Sequence, residues 1–414
     1  MIDTTNDTTS RVLIAIDIAK HNHDLIIRIP EGRKIRMRIP NTLDGYKKLK
    51  EQLMPFPMET VLCGFEPTAD YHRNIAFWLG QQGAEMRLIS SLACARAREM
   101  LFKTRDKNDR KDANVILYLL DQGISEPFHD PLVSGIMDVQ EICNTYQQIV
   151  LSRSRVVHSL LNHSITLFFP EIERFYHNSR SEWWCNFLLK FPTPGSITRY
   201  RQQTFVKRAW KVVGRKQNKQ RFLEELYEIA GNSTALPVSL DSQSVAMFRV
   251  QLRRFLQLTQ QRKELETLAD GLLEERSDYR RLRTLPGVGP IIALMILAEG
   301  GDLRRFKHHR QFLNFCGFNL SAQQSGQQRG RYHLSKRGNA RLRYAFWLAA
   351  NSAIRNHENS FRDKFSRYIK SNPEDADIKR KGRVAVAIKM ARVAHSLVKN
   401  DCDYRGYHEY GYGM

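Results

Sequence analysis

No stretch of this 414-residue chain comes near the ~18 consecutive apolar residues of a membrane-spanning helix, so no membrane partner is expected. Its six cysteines (Cys63, Cys94, Cys143, Cys185, Cys316 and Cys402) are scattered and form no C-x-x-C pair. That spacing argues against a zinc site or a disulfide framework and fits a reducing cytoplasm. The opening residues, MIDTTNDTTSR, are polar and lack the apolar core of a secretory leader. A soluble, cytoplasmic protein is the expectation. Acidic side chains are also scarce beside basic ones. Against 65 Lys and Arg stand 43 Asp and Glu, a net charge of +22. Such an excess favours a polyanionic partner, because each phosphate contact releases condensed counterions. Ribosomal, membrane-surface and heparin-binding proteins share the signature, so charge names a kind of partner and no activity.

What is present is a change of pattern along the chain. Residues 11 to about 125 alternate strands and helices. Val12 to Ile16 is a short apolar run that ends on Asp17, and residues 24–28 and 34–38 read as further strands around a turn at Pro30-Glu31-Gly32. Asn41 is expected to cap a helix reaching Leu53. A strand from Thr60 to Phe65 ends on Glu66; a helix over 71–82, a strand near 86–89 and a helix after Asp109 complete an α/β unit. A long amphipathic helix follows from Gly135 to Leu167, closed by Pro170, and a second runs from Val245 to Arg276. Between them, residues 176–240 are aromatic and basic without a clear period. Beyond Arg280 the chain reads as a compact helical domain in which residues 301–345 hold ten Lys or Arg and one acid, Asp302.

Carboxylates at the ends of secondary-structure elements can hold divalent cations, and a metal pair can stabilise both the attacking and the leaving oxygen of a phosphodiester. Asp17 and Glu66 each follow a strand. If those strands are neighbours, both carboxylates leave the same edge of the sheet. Asp109 and Asp112 sit three apart at a helix start and share a face, but Asp106 extends the same three-residue ladder, so spacing does not say which two bind metal. Each acid alone is equally suited to a turn or a helix cap.

A second constellation lies in the cation-rich loop from Ser321 to Arg343. Ser325 stands directly before Gly326, and Arg329, Arg331, Lys336, Arg337, Asn339 and Arg341 follow. A serine beside glycine, flanked by arginines that balance charge at phosphorus, suits a nucleophile toward phosphate. Ser321 and Ser335 compete for that role, and the plainer reading is a phosphate-binding segment. Upstream, Leu285-Pro286-Gly287-Val288-Gly289 before an apolar helix resembles a helix-hairpin-helix, whose glycine turn (Gly287, Gly289) offers backbone N–H groups to a phosphate.

Taken in order, these segments resemble the DEDD-type insertion-sequence transposases, a family that includes the Piv-type invertases and bridge-RNA-guided recombinases. The matching pieces are Ala15 to Lys20, Glu66 to Tyr71, Lys107 to Ala113, Leu285 to Gly289, and Ser325-Gly326 before Leu334 to Asn339. Single motifs are weak, whereas the ordered set is specific. The resemblance implies an α/β plus α chain: an RNase H-like, RuvC-type domain over 9–128 and a helical, coiled-coil region over 129–278. A small C-terminal transposase domain over 279–370 and a tail over 371–414 would follow. It implies Asp17, Glu66, Asp109 and Asp112 as ligands of Mg²⁺ (or Mn²⁺), sets Asp106 aside, and picks Ser325 as the residue linked covalently to DNA. It further implies double-stranded donor and target DNA, a structured non-coding guide RNA, and a homo-oligomer in which dimers assemble into a tetramer. Two positions depart from the family pattern: Ala69 stands where glycine is common after Glu-x-Thr, and Gln324 where a second serine often precedes the nucleophile.

The activity expected on that basis is metal-assisted strand cleavage and rejoining through a phosphoserine intermediate. The alternatives are a RuvC-like nuclease in which water attacks, and a nucleic-acid-binding descendant without catalysis.

Overall fold

A computed structural model describes residues 10–102, 109–177, 181–214, 218–325, 328–356 and 359–406, with the backbone alone for residues 109, 110, 181 and 321–333. The chain divides into two compact units, the first ending at Gly135 and the second starting at Ile136.

The first unit is a mixed six-stranded sheet, formed by β1 (Val12–Asp17), β2 (Asn22–Arg28), β3 (Lys34–Pro40), β4 (Val61–Phe65), β5 (Glu85–Leu88) and β6 (Glu126–Pro127). Their spatial order is β3-β2-β1-β4-β5-β6, in which β1, β4 and β5 are parallel and the other pairs antiparallel. Central β1 reads as an unbroken apolar run because helices cover both its faces. Its residues Val12, Ile14 and Ile16 face α1 (Leu43–Leu53) and α2 (Arg73–Gln81), and Leu13 and Ala15 face α3 (Ser91–Phe102) and α4 (Asp109–Asp121). The cap of α1 is Thr42 rather than Asn41: the Thr42 hydroxyl accepts from the Gly45 N–H at 3.3 Å. Asn41 is drawn away by two tertiary hydrogen bonds, donating to the Lys20 carbonyl at 3.2 Å and accepting from the Tyr46 hydroxyl.

The second unit is almost wholly helical. Helix α5 (Met137–Ser159) continues through a π turn at Leu160–Ile165 into α6 (Thr166–Phe168). It pairs antiparallel with α11 (Gln243–Leu273), as the contacts Tyr146–Glu266 and Arg153–Thr259 show. One end of this pair enters an aromatic-rich core with α7 (Ser181–Lys190), α8 (Pro194–Thr198), α9 (Gln202–Ala209) and α10 (Lys219–Gly231), where Trp184, Phe187, Phe191 and Phe205 are buried. The other end joins the core of α12 (Ser277–Arg283), α13 (Pro290–Gly300), α14 (His309–Phe315), α15 (Ala340–Arg355), α16 (Ser360–Ile369) and α17 (Ala376–Asn400). A hairpin of β7 (Leu320–Ser325) and β8 (Gln328–Leu334) lies between α14 and α15. Residues 371–414, which carry no assigned role in the sequence, thus supply α17, whose Val386, Met390, Ala394 and Val398 are core. Among the described residues no helix is long and apolar enough to cross a membrane.

Charge divides as sharply as structure. Residues 1–135 hold 19 basic and 18 acidic side chains, and residues 136–414 hold 46 and 25, so +21 of the +22 belongs to the second unit.

Candidate catalytic site

The last paired residues of parallel β1 and β4 are Ile16 and Phe65, so Asp17 and Glu66 are the next residues on adjacent strands at the carboxyl edge of the sheet. Side chains alternate along a strand. Because Leu13, Ala15 and Leu62 enter the core under α3 and α4, Asp17 and Glu66 project to that same side. Helix α4 lies there through Ala113, Ile116, Leu117 and Leu120. Its last residue, Asp121, pairs with Arg28 at 2.8 Å, and Arg28 stands opposite Leu13 near the start of β1. The helix therefore runs antiparallel to β1. The rise from Asp112 to Asp121 is ~14 Å and that from Leu13 to Asp17 ~13 Å, which brings the start of α4 level with the edge where Asp17 and Glu66 emerge.

Two residues of α3 that the sequence reading missed tie this edge together. The Arg98 guanidinium meets Asp112 Oδ1 through Nε at 2.7 Å and Nη2 at 2.6 Å, with both side chains nearly buried. One turn earlier, the Cys94 thiol is hydrogen-bonded to Glu66. Burial, with the carboxylates of Glu66 and Asp112 adding to it and Arg98 opposing, pushes Cys94 above the ordinary thiol range. It stays protonated and donates to Glu66. A lone arginine on the apolar face of α3, four residues after Cys94 and beside Ala97, was the available signal.

Among the described residues no group of three or more His, Cys, Asp or Glu is gathered tightly enough to hold a metal ion. Arg98 neutralises Asp112 and Cys94 satisfies Glu66 instead. The donor chemistry nevertheless suits Mg²⁺ or Mn²⁺, since Asp17, Glu66 and Asp112 offer hard carboxylate oxygens from one edge. Asp109 opens α4, but its side chain lies outside the described residues, as does the whole of Asp106.

In the second unit, the stretch expected to be a cation-rich loop is a β-hairpin. Ser325 is the last residue of β7 and pairs with Gln328, so it sits at the hairpin tip beside Gly326. The sequence hid these strands because their residues are polar, with no apolar face to set a period of two. The side chains of Ser321, Ser325, Arg329 and Arg331 lie outside the described residues, as does all of Gly326. Ser335 is committed to the turn that follows: its Oγ accepts from the Arg337 N–H at 3.3 Å. Lys336 adopts φ 54°, costly for a residue with a Cβ, and Gly338 adopts φ 138° where a Cβ would lie 2.5 Å from the Phe315 carbonyl. That strained turn delivers Asn339, which caps α15 at Leu342 N and donates to Glu299 at 2.8 Å. Arg341 pairs with Glu299 at 3.3 Å and with Asn144 at 2.6 Å, whereas Lys336 and Arg337 are exposed.

Gly287 turns between α12 and α13 with φ 85°, and a Cβ there would lie 2.5 Å from the Ala353 nitrogen of α15. Close helix packing therefore demands this glycine. Gly289, the N-cap of α13, meets nothing within 4 Å of the corresponding position.

Comparison with known proteins finds matches for two stretches of the chain. A DEDD, IS110-type family model described as "Transposase" matches residues 14–170, and one described as "Transposase IS116/IS110/IS902 family" matches residues 279–366. The chain is 24% identical over 262 residues to the uncharacterized 44.8 kDa protein of insertion element IS116 from Streptomyces clavuligerus, covering 61% of this chain and 62% of that one. It is 29% identical over 187 residues to a transposase for insertion sequence element IS1111A from Coxiella burnetii, covering 45% and 50%. A probable family 20 transposase of Pseudomonas aeruginosa is 32% identical over 134 residues, covering 31% and 38%. The first two matches thus span between half and two thirds of each relative's length.

Proposed function

This chain belongs to the DEDD-type insertion-sequence transposases, and on that premise we propose that it cuts and rejoins DNA for a mobile insertion element. The observation that carries the reading is the shared edge: Asp17 and Glu66 leave adjacent parallel strands toward α4, which runs antiparallel to β1 and brings Asp109 and Asp112 to the same level. In this reading those four carboxylates hold Mg²⁺ or Mn²⁺. When bound, the metal neutralises charge at the scissile phosphate and on the displaced oxygen.

The chain's own groups do the rest. Ser325, at the tip of a hairpin, attacks phosphorus through its hydroxyl; the Oγ–P bond forms as the scissile P–O bond breaks. Arg329 and Arg331 on the neighbouring strand balance phosphate charge, and exposed Lys336 and Arg337 position the backbone. Asn339 and Arg341, tied to Glu299, shape the turn that presents them. The turn at Gly287 and Gly289 offers N–H groups to a further phosphate. Arg98 positions Asp112 and Cys94 positions Glu66.

The same reading extends to the family's partners: double-stranded donor and target DNA, a structured guide RNA, and dimers that assemble into a tetramer. The +21 net charge of residues 136–414 supports a polyanionic partner on that unit. A recombination assay on DNA carrying the element's ends tests the ligand set. Asp17→Ala and Asp112→Ala should each abolish strand exchange while RNA and DNA binding persist. Exchange that survives either substitution would refute the assignment of these acids.

A further inference from the structure

The α16–α17 pair collects cations around two cavities. Lys364, Arg367 and Tyr368 of α16 and Lys389 of α17 line a cavity of about 400 Å³. A second cavity of about 500 Å³ is lined by Lys307, His308, His309, Arg392, His395 and Lys399. Arg392 joins the two, since its charge acts on Lys364 and on His309 alike. Asp363 acts favourably on Lys389, but burial and the repulsion from Lys364 and Arg367 act more strongly against it. The contrast lies on the same helix: at its start Lys379 pairs with Glu374, and Arg380 and Lys381 pair with Asp377.

Packing like charges this way is unfavourable, and the molecule shows it. Burial first, and then Arg392 and Arg367, hold Lys364 below the ordinary lysine range. Burial, Lys364 and Arg367 do the same to Lys389, whose ammonium donates to the Ser360 carbonyl and hydroxyl, each at 2.9 Å. His309 is lowered by burial, His308 and Arg392. A bound anion would offset the repulsive contribution to each, while burial remains the larger cause.

The arrangement is linear. Lys389, Arg392 and Lys399 follow at steps of three and seven on α17, so they share one helix face over ~15 Å. That run matches the axial rise of about four phosphates of one B-form strand at ~3.4 Å each. Separate small anions would need no such alignment. All of α17 also lies beyond the stretches matched by the family models, which end at residue 366.

We propose that α16 and α17 form a phosphodiester track, in which Lys389, Lys364, Arg367, Arg392, His309 and Lys399 hold the backbone of a nucleic-acid strand separately from the Ser325 hairpin. Lysine serves there as a point charge and arginine as a forked donor to phosphate oxygens.

Binding of the full-length protein to a labelled DNA duplex of unrelated sequence, and separately to a single-stranded RNA, tests this across a salt series. Strand exchange is not read, so a failure of Ser325 or of the metal site leaves the result untouched. The triple variant Lys364→Gln, Arg367→Gln, Arg392→Gln should flatten the slope of log affinity against log salt by about 0.7–0.9 per lost contact. Neutralising Lys34, Lys47 and Lys48, three exposed lysines of the first unit, removes equal charge and should leave that slope unchanged. Without nucleic acid the triple variant should melt no lower than wild type, because its cations repel one another. If it does melt lower, exposed Arg392→Gln alone carries the test. Loss with DNA only, or with RNA only, assigns the strand; loss with both makes the track common to them. An unchanged slope with both probes, or an equal loss from the lysine control, would overturn the proposal.

Discussion

Arg98 and Asp112 form an ion pair whose side chains are 9% and 13% exposed. Charges so nearly buried need one another, and removing one partner strands the other without solvent. Arg98→Met should therefore destabilise the protein by about 3 kcal/mol, whereas the double variant with Asp112→Asn should cost less than the sum. Urea unfolding measures both. Added Mg²⁺ should recover part of the loss in Arg98→Met and none in the double variant, because a cation can replace the guanidinium only where the carboxylate remains. Additive losses, insensitive to Mg²⁺, would separate Asp112 from both cations. The places of Asp17 and Glu66 were legible because each follows an apolar run, whereas Asp112 was separated from Asp106 only by the family resemblance. Cys94 and Arg98 were not, since their roles come from α3 lying across the sheet, a contact that no local pattern encodes.

At the scale of elements, legibility followed periodicity. The two long helices were expected at Gly135–Leu167 and Val245–Arg276, and α5 with its π turn and α11 lie within a few residues of those limits. Both carry an apolar stripe at helical spacing. The β7–β8 hairpin escaped because its strands are polar, and α7 to α10 because aromatic residues fill their core from many directions at once. The junction of α5 and α11 holds buried Arg153, whose Nε donates to the Thr259 hydroxyl at 3.0 Å and whose guanidinium stacks on Phe255 at 4.5 Å. Thr259→Val keeps the shape and removes that acceptor. It should lower stability by about 1–3 kcal/mol, the cost of leaving a buried donor unsatisfied. An unchanged urea midpoint would show that the guanidinium does not depend on Thr259.

Across the whole molecule, the carboxylate edge and the serine hairpin fall in different units, and nearly all the net charge accompanies the hairpin. The charge excess was plain from composition, but its confinement to residues 136–414 is a property of where the chain divides. The proposed strand cleavage needs both the carboxylates and Ser325, so loss of either should stop the reaction at the same stage. The decisive measurement is the covalent state of the protein after incubation with end-bearing DNA and Mg²⁺, read by denaturing electrophoresis and peptide mapping. Wild-type protein should carry DNA on Ser325, and both Ser325→Ala and Asp112→Ala should show no such adduct and no joined strands. Joined strands produced by Ser325→Ala without an adduct would contradict serine attack, and cut but unjoined strands from that variant would favour hydrolysis by water.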